Sequence, residues 1–326
     1  MPGRWGTRRK AAFGAVMSPV GLDLLLSPWV LALLGLVIGS YLNVVIHRLP
    51  QLLEREWLGD VAGYLQDGEA MTRVLGSTAV RNAELARQGQ SLATEVEALP
   101  HLSLSHPRSR CPHCSHVLAW HENIPLLGWL RLGGKCSSCG SRIDVRYPLV
   151  EALTALLFAA AALQAGPTAA TAVYCAALAL LVAAAFIDFD TTLLPDDLTL
   201  PLIALGLVAA WQRWIPVTLA DATLGALFGY GSLWAVAFAY KMVRGVQGMA
   251  EGDFKLLAGL GALLGWQMLP SIILLSSAVG AVVGIFMIVA RGHGRNVPIP
   301  FGPYLAGGGV AALFFGSQLS ALWPGL

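Results

Sequence analysis

Charge is what this chain has least of. Only 12% of its 326 residues are Asp, Glu, Lys or Arg, against roughly 25% in a water-soluble globular protein. That deficit, with 56% hydrophobic residues and a mean hydropathy of +0.65, excludes both a single soluble domain and a disordered chain. Five cysteines are too few for a disulfide scaffold, and four of them fall in two close pairs, which points to metal binding instead of oxidation. A formal charge of +2 gives no electrostatic basis for a nucleic-acid role. No glycine-rich loop follows a strand, so no nucleotide-type cofactor site announces itself.

Long apolar runs are what the chain has instead. Stretches near the ~20 residues needed to cross a bilayer as a helix place most of it in lipid. The first runs from about Leu24 to Ile46. Residues 47–146 are polar, carry both charge signs and hold all four paired cysteines, so this segment folds in water. Hydropathy returns at Tyr147, with runs at about 147–165, 168–187, 198–215, 217–240, 254–269, 271–290 and 300–323. Gly166-Pro167, Ile215-Pro216, Leu269-Pro270 and Val297-Pro298 read as boundaries between them. The expected fold is therefore an all-α polytopic membrane protein of about eight transmembrane helices. It divides into a tail (1–23), a first transmembrane helix (24–46), a cytoplasmic zinc-ribbon domain (47–146) and a seven-helix membrane domain (147–326).

Sidedness follows from Lys and Arg near the span ends. With the polar segment in the cytoplasm, that side has Arg48, Arg55, Arg131, Lys135, Arg142, Arg146, Lys241, Arg244, Lys255, Arg291 and Arg295. The other side has Arg213 and the cluster Arg4, Arg8, Arg9 and Lys10. The balance supports the assignment, although the N-terminal cluster opposes it; a native start at Met17 would remove that conflict.

Cys111-Pro-His-Cys114 and Cys136-Ser-Ser-Cys139 form a C-x2-C, x21, C-x2-C pattern. It suits four thiolates closing tetrahedrally around one structural zinc at about 2.3 Å. The competing reading is four free reduced thiols in a polar loop. A closed four-thiolate site leaves no position for a water, so such a metal builds structure and supplies folding energy. Gly133-Gly134 reads as a turn in this ribbon, and the lone Cys175 as a packing residue.

Acidic residues are scarce in the later runs, where an ionisable group costs several kcal/mol, and they concentrate at one face. Asp188, Asp190, Asp196 and Asp197 end one run and open the next, while Glu251 and Asp253 open the short run. Two carboxylates within a few ångströms cannot both ionise cheaply, so one keeps a proton while the other activates a water. Interfacial solvation is the competing reading for Asp188 and Asp253. Asp196 after Pro195 reads as a helix N-cap. Asp221 reads as structural, and Glu151 as a first-turn charge suited to the helix dipole. Gly252 leaves room for a second backbone or an extended peptide beside Asp253.

Three segments together resemble the prepilin peptidases, or type IV leader peptidases, which are intramembrane aspartic proteases. They are Gly39-Ser-Tyr-Leu-Asn-Val-Val-Ile-His-Arg-Leu-Pro50, the cysteine region with its flanks His121-Glu-Asn-Ile-Pro-Leu-Leu-Gly-Trp129 and Arg146-Tyr-Pro-Leu-Val-Glu151, and the two aspartate segments. The resemblance implies a multi-pass protein of the bacterial inner membrane with its active site facing the cytoplasm. Its partners would be type IV prepilins or type II secretion pseudopilins, whose basic leader is cut off, together with the lipid bilayer. It also implies N-methylation of the new terminus from S-adenosylmethionine, with Asn43 and the cysteine region as the segment to test for that activity. Asp188 and Asp253 match the family's two catalytic aspartates. The second motif departs from Gly-x-Gly-Asp, because Ala250 replaces the first glycine and Glu251 adds a charge. Tyr41 and His47 stand where the family commonly has phenylalanine and tyrosine. Two rival classes are a transporter with ion-binding carboxylates and a non-catalytic scaffold displaying the zinc ribbon.

Overall fold

A computed structural model describes residues 19–76, 78–246, 248–291 and 300–321. The N-terminal basic cluster, Met17, Arg295 and the Val297-Pro298 boundary lie outside the described residues. The described chain is helical: α1 (Pro19–Leu25), α2 (Pro28–Gln66), α3 (Gly68–Leu75), α4 (Ala79–Glu97), α5 (Leu127–Arg131), α6 (Arg146–Ala165), α7 (Ala169–Thr191), α8 (Asp196–Trp211), α9 (Leu219–Arg244), α10 (Glu251–Leu264), α11 (Leu269–Arg291) and α12 (Gly302–Ser320). A helix covers most of each apolar run, and among the described residues five segments are long and apolar enough to cross a membrane: Pro28–Gln66, Arg146–Ala165, Ala169–Thr191, Leu219–Arg244 and Trp266–Met287.

Helix α2 does not stop where the apolar run does. It continues through Pro50 to Gln66, so one 39-residue rod joins the membrane part to the polar part. Its distal half pairs with α4, while its apolar half packs against α6 and α7. The shortest run also has a physical explanation. Helix α10 has 14 residues, ten of them buried, and is surrounded by α8, α9 and α12, so protein and not lipid satisfies its apolar surface. The approach of α9 and α10 is closest at Gly225 and Gly261. A Cβ on either would lie 2.1 Å from the other's carbonyl oxygen, the kind of backbone contact that small residues permit between membrane helices. The break after α10 falls at Gly265, whose φ is 86°, just before the Leu269-Pro270 boundary expected from the sequence.

Cys175 is buried among the packed side chains of α7. At the opposite end of the bundle, the Asp221 carboxylate accepts hydrogen bonds from Thr218 Oγ1 (2.6 Å), Trp266 Nε1 (3.1 Å) and Gln267 Nε2 (3.0 Å). This knot ties the start of α9 to the turn before α11, which is the structural role expected of that acid.

Candidate active site and cysteine cluster

The cysteine cluster is built from two matching turns. In the first, the Cys111 amide donates to the His116 carbonyl and the Ser115 amide to the Cys111 carbonyl; in the second, Cys136 bonds Ser141 and Gly140 bonds Cys136 in the same way. Ser115 and Gly140 hold the left-handed position of each turn, at φ 58° and 69°. Isolated antiparallel bridges, Arg110 with Val117 and Lys135 with Arg142, close the two bases, and the described residues contain no longer strand. Gly133 and Gly134, at φ 59° and 68°, form the expected turn.

The four Sγ atoms lie within 4.8 Å of one another, and both the Cys111–Cys139 and the Cys114–Cys136 separations are 3.8 Å. Four thiolates about 2.3 Å from one centre in a tetrahedron stand about 3.8 Å apart, so the cluster fits a metal ion. The backbone N–H groups of Cys114 and then His113, with the Ser141 hydroxyl, lower the Cys111 thiol to about 6, favouring the ligating thiolate. Beside the cluster, Glu122 accepts from the Ala119 amide (2.7 Å) and pairs with His116 (3.2 Å). The Ser137 hydroxyl, the Ala119 amide and His116 lower its carboxyl to about 2.

Polar contacts tie α2 to α6 and the loop beside the cysteine module to α6. Asn43 on α2 donates to the carbonyls of Gly39 (3.2 Å) and Tyr147 (3.1 Å). Glu151 corrects the sequence expectation. Because α6 begins at Arg146, Glu151 sits beyond its first turn, is buried, and accepts a 2.8 Å hydrogen bond from the Leu126 amide. It anchors the loop before α5 and does not complement the helix start.

The two aspartates lie at the same end of the bundle, Asp188 near the C-terminus of α7 and Asp253 in the first turn of α10. Both are buried, at 4% and 6% exposure, and close enough for the charge on Asp188 to act on Asp253. The sequence did not point to the group that holds Asp188: the Gly302 amide, at the N-terminus of α12, donates to its Oδ2 at 2.8 Å. The only signal for it is Gly302-Pro303 opening the last apolar run, a helix-start pattern. Asp253 Oδ1, by contrast, is a buried oxygen with no hydrogen-bond partner, an arrangement rare enough in native structures to suggest a functional role.

Leu194 sits between the two acids' supports. A Cβ on Gly252 would meet Leu194 Cβ at 2.5 Å, and one on Gly302 would meet Leu194 Cδ1 at 3.1 Å. The space that glycine provides beside Asp253 is taken by a second backbone, one of the two occupants expected from the sequence: the Leu194 carbonyl oxygen and Cα would lie 3.1 and 3.4 Å from an added Cβ. Ala250 has φ −81°, a conformation open to any L-residue, so the lost glycine costs little backbone strain. Glu251 is exposed while Asp253 is buried.

Two ion pairs frame the acids. Arg146, the first residue of α6, bonds Asp190 at 2.6 Å and the Phe186 carbonyl at 3.4 Å, and its guanidinium lies 5.1 Å from the Phe186 ring centre. These contacts bracket Asp188. Asp196 is not an N-cap, because Pro195 occupies that position and Asp196 is the first helical residue. Its carboxylate instead holds Lys255 Nζ at 2.7 and 2.8 Å, tying the start of α8 to that of α10.

Comparison with known proteins places this geometry. Residues 33–165 match the bacterial peptidase A24 N-terminal domain, and residues 175–285 match the type IV leader peptidase family. The chain belongs to the type IV leader peptidase family. It is similar to the prepilin leader peptidase/N-methyltransferase of Aeromonas hydrophila, with 46% identity over 90% of this chain and 93% of the relative. The Pseudomonas aeruginosa protein of the same name is 45% identical over 88% and 90% of the two chains. That of Burkholderia pseudomallei strain 1026b is 40% identical over 97% and 92%. No solved structure matches. As a type IV leader peptidase, the chain keeps both aspartate segments and the cysteine module within the matched regions.

Proposed function

We propose that this protein removes the leader of type IV prepilins or type II secretion pseudopilins at the cytoplasmic face of the bacterial inner membrane, and N-methylates the terminus it exposes. The observation that carries the peptidase reading is the pair of buried carboxylates at one end of the bundle, differently supported. The Gly302 amide and the positive end of α12 favour negative charge on Asp188. No donor faces Asp253 Oδ1. We therefore assign the base to Asp188 and the proton to Asp253.

In this scheme Asp188 takes a proton from a water as its oxygen attacks the scissile carbonyl, while Asp253 donates toward the developing oxyanion. Collapse of the tetrahedral intermediate re-forms the carbonyl as its hydroxyl proton goes back to Asp253 and breaks the C–N bond as Asp188 passes the proton it took to the departing amine. A prepilin with its leader in the cytoplasm and its apolar helix in the bilayer presents the junction between them at this layer. With the polar module in the cytoplasm, as the distribution of Lys and Arg in the sequence favours, both aspartates face the compartment that holds the leader. Zinc is the ion whose preference the four thiolates match, and its role is to hold the module together. S-adenosylmethionine supplies a methyl group to the new α-amine. Purified protein incubated with a prepilin and S-adenosylmethionine should yield the free leader and a mature pilin one methyl group heavier at its N-terminus by mass spectrometry. Intact prepilin after prolonged incubation would refute the reading.

A further inference from the structure

We infer that α5 is a membrane anchor: it seats Leu127 and Leu130 in the apolar edge of one leaflet, while Arg131, Lys135 and Arg142 hold the headgroups of acidic phospholipids. The inference rests on α6 as a membrane span and goes beyond the peptidase scheme. Depth is set by Glu151. Helix α6 has 20 residues, so at 1.5 Å per residue it is about as long as the ~30 Å hydrocarbon core is thick. Glu151, five residues past its start, therefore lies about 7.5 Å inside. The Leu126 amide that donates to it brings the start of α5 down to that level. The neighbouring surface faces lipid: Gly39 of α2 packs on Glu151, where a Cβ would lie 2.7 Å from its Cα, and Val37 and Tyr41 on either side of Gly39 are exposed.

Leu127 and Leu130 share a face of α5 and are 64% and 63% exposed, with nothing among the described residues covering them. The backbone around them suits hydrocarbon. The amides of Leu126, Leu127, Gly128 and Leu130 all donate within the protein, to Glu151, Pro125, Ile124 and Leu126, as a segment facing lipid requires. Leu126, at φ 59° and ψ −50°, centres a γ-turn of the rare, strained kind, and such strain is retained where it serves a function. The other side of α5 is fixed to the module, because a Cβ on Gly128 would collide with the Glu122 carbonyl oxygen and Trp129 Nε1 donates to the Ile143 carbonyl. Arg131 lies one turn beyond Leu127, and Lys135 and Arg142 are exposed just before α6. Lys135 and Arg142 face each other across an antiparallel bridge, where like charges repel. None of the three bases is in an ion pair among the described residues; Asp144, the acid between them and α6, accepts from the Arg146 amide instead. An acidic headgroup supplies the counter-charge.

The full chain in nanodiscs of phosphatidylcholine and phosphatidylglycerol tests this. A phosphatidylglycerol with a diazirine on its acyl chain should, on irradiation, leave adducts on Leu127 or Leu130 as well as on Leu156, which is exposed midway along α6. Adducts on Leu156 but none within residues 124–131 would overturn the anchor while leaving α6 in the bilayer. Arg131→Gln, Lys135→Gln and Arg142→Gln together should lower the yield within 124–131 by roughly fivefold or more and leave that at Leu156 unchanged. An undiminished yield in this variant, or equal labelling of the wild type by a phosphatidylcholine probe, would overturn headgroup recognition. Hydroxyl-radical labelling read by mass spectrometry should spare Leu127 and Leu130 relative to Val74 and Val80, which are exposed on the polar helices; equal labelling would overturn insertion. Inorganic phosphate should compete no better than chloride at the same ionic strength, and stronger competition would mark a site for free phosphate, contrary to the proposal. None of these readouts involves leader cleavage, so failure of the peptidase scheme and failure of the anchor are distinguishable.

Discussion

Gly302→Ala is the perturbation that isolates the support of Asp188. The added Cβ would stand 2.7 Å from Asp188 Oδ2, 3.1 Å from its Cγ and 3.1 Å from Leu194 Cδ1. The carboxylate must turn away or α12 must withdraw, and either movement breaks the 2.8 Å hydrogen bond from the Gly302 amide. Hydrogen bonds to charged groups are worth about 1.5–3 kcal/mol, which corresponds to a fall in kcat of roughly 10- to 160-fold at 1.36 kcal/mol per decade. KM for prepilin should change little, because the amide acts on the acid and not on the bound peptide. Gly307→Ala on the same helix is the control: a Cβ there meets nothing within 4 Å, so cleavage should stay at the wild-type rate. The assay is a time course of prepilin conversion in detergent, with thermal melting to confirm that both variants are folded. Wild-type kcat in folded Gly302→Ala protein would refute the reasoning.

Other outcomes follow from the same contacts. Arg146→Ala removes the attachment of α6 to the α7 segment around Asp188; the Arg146–Asp190 pair is about one third exposed, so a loss near 1 kcal/mol, or about fivefold in kcat, is expected. Arg146→Lys should recover only part of this, since a lysine lacks the fork that reaches both Asp190 and Phe186, and full activity of Arg146→Ala would contradict the role. Glu151→Ala leaves the Leu126 amide without its partner, at a cost of about 1–3 kcal/mol; a lowered melting temperature is expected, and an unchanged one would count against the anchor. Chelation of the metal, or Cys136→Ser, should expose residues 47–146 to limited proteolysis while sparing the membrane helices, and an unchanged digestion pattern would argue against a structural metal.

How much of this was legible beforehand depended on the range of the interaction. The cysteine module could be read because each Cys-x-x-Cys pair chelates from its own turn, so spacing alone carries the information. The apolar runs could be read because lipid acts on each segment separately. Asp188 and Asp253 could be assigned to one layer by counting runs, and family resemblance then singled them out. The supports of those acids could not be read. The Gly302 amide reaches Asp188 across 114 positions, and Leu194 packs against Gly252 and Gly302 only once three helix ends have converged. Asp196 was misread for a related reason: a local capping rule lost to a partner, Lys255, that arrives from 59 positions away. The extension of α2 past Ile46 was hidden because its distal half is polar and contains Pro50, which normally interrupts a helix, whereas pairing with α4 stabilises that half.

The central claim is that Asp188 and Asp253 work as one acid–base pair, and conservative amide substitution tests it most directly. Asp188→Asn and Asp253→Asn preserve side-chain shape but remove, respectively, the base and the proton donor. With prepilin in detergent and folding verified by melting, the account predicts that each variant loses cleavage by about a thousandfold, and that the double variant loses scarcely more than either single one. Cleavage near the wild-type rate in either folded variant would contradict it.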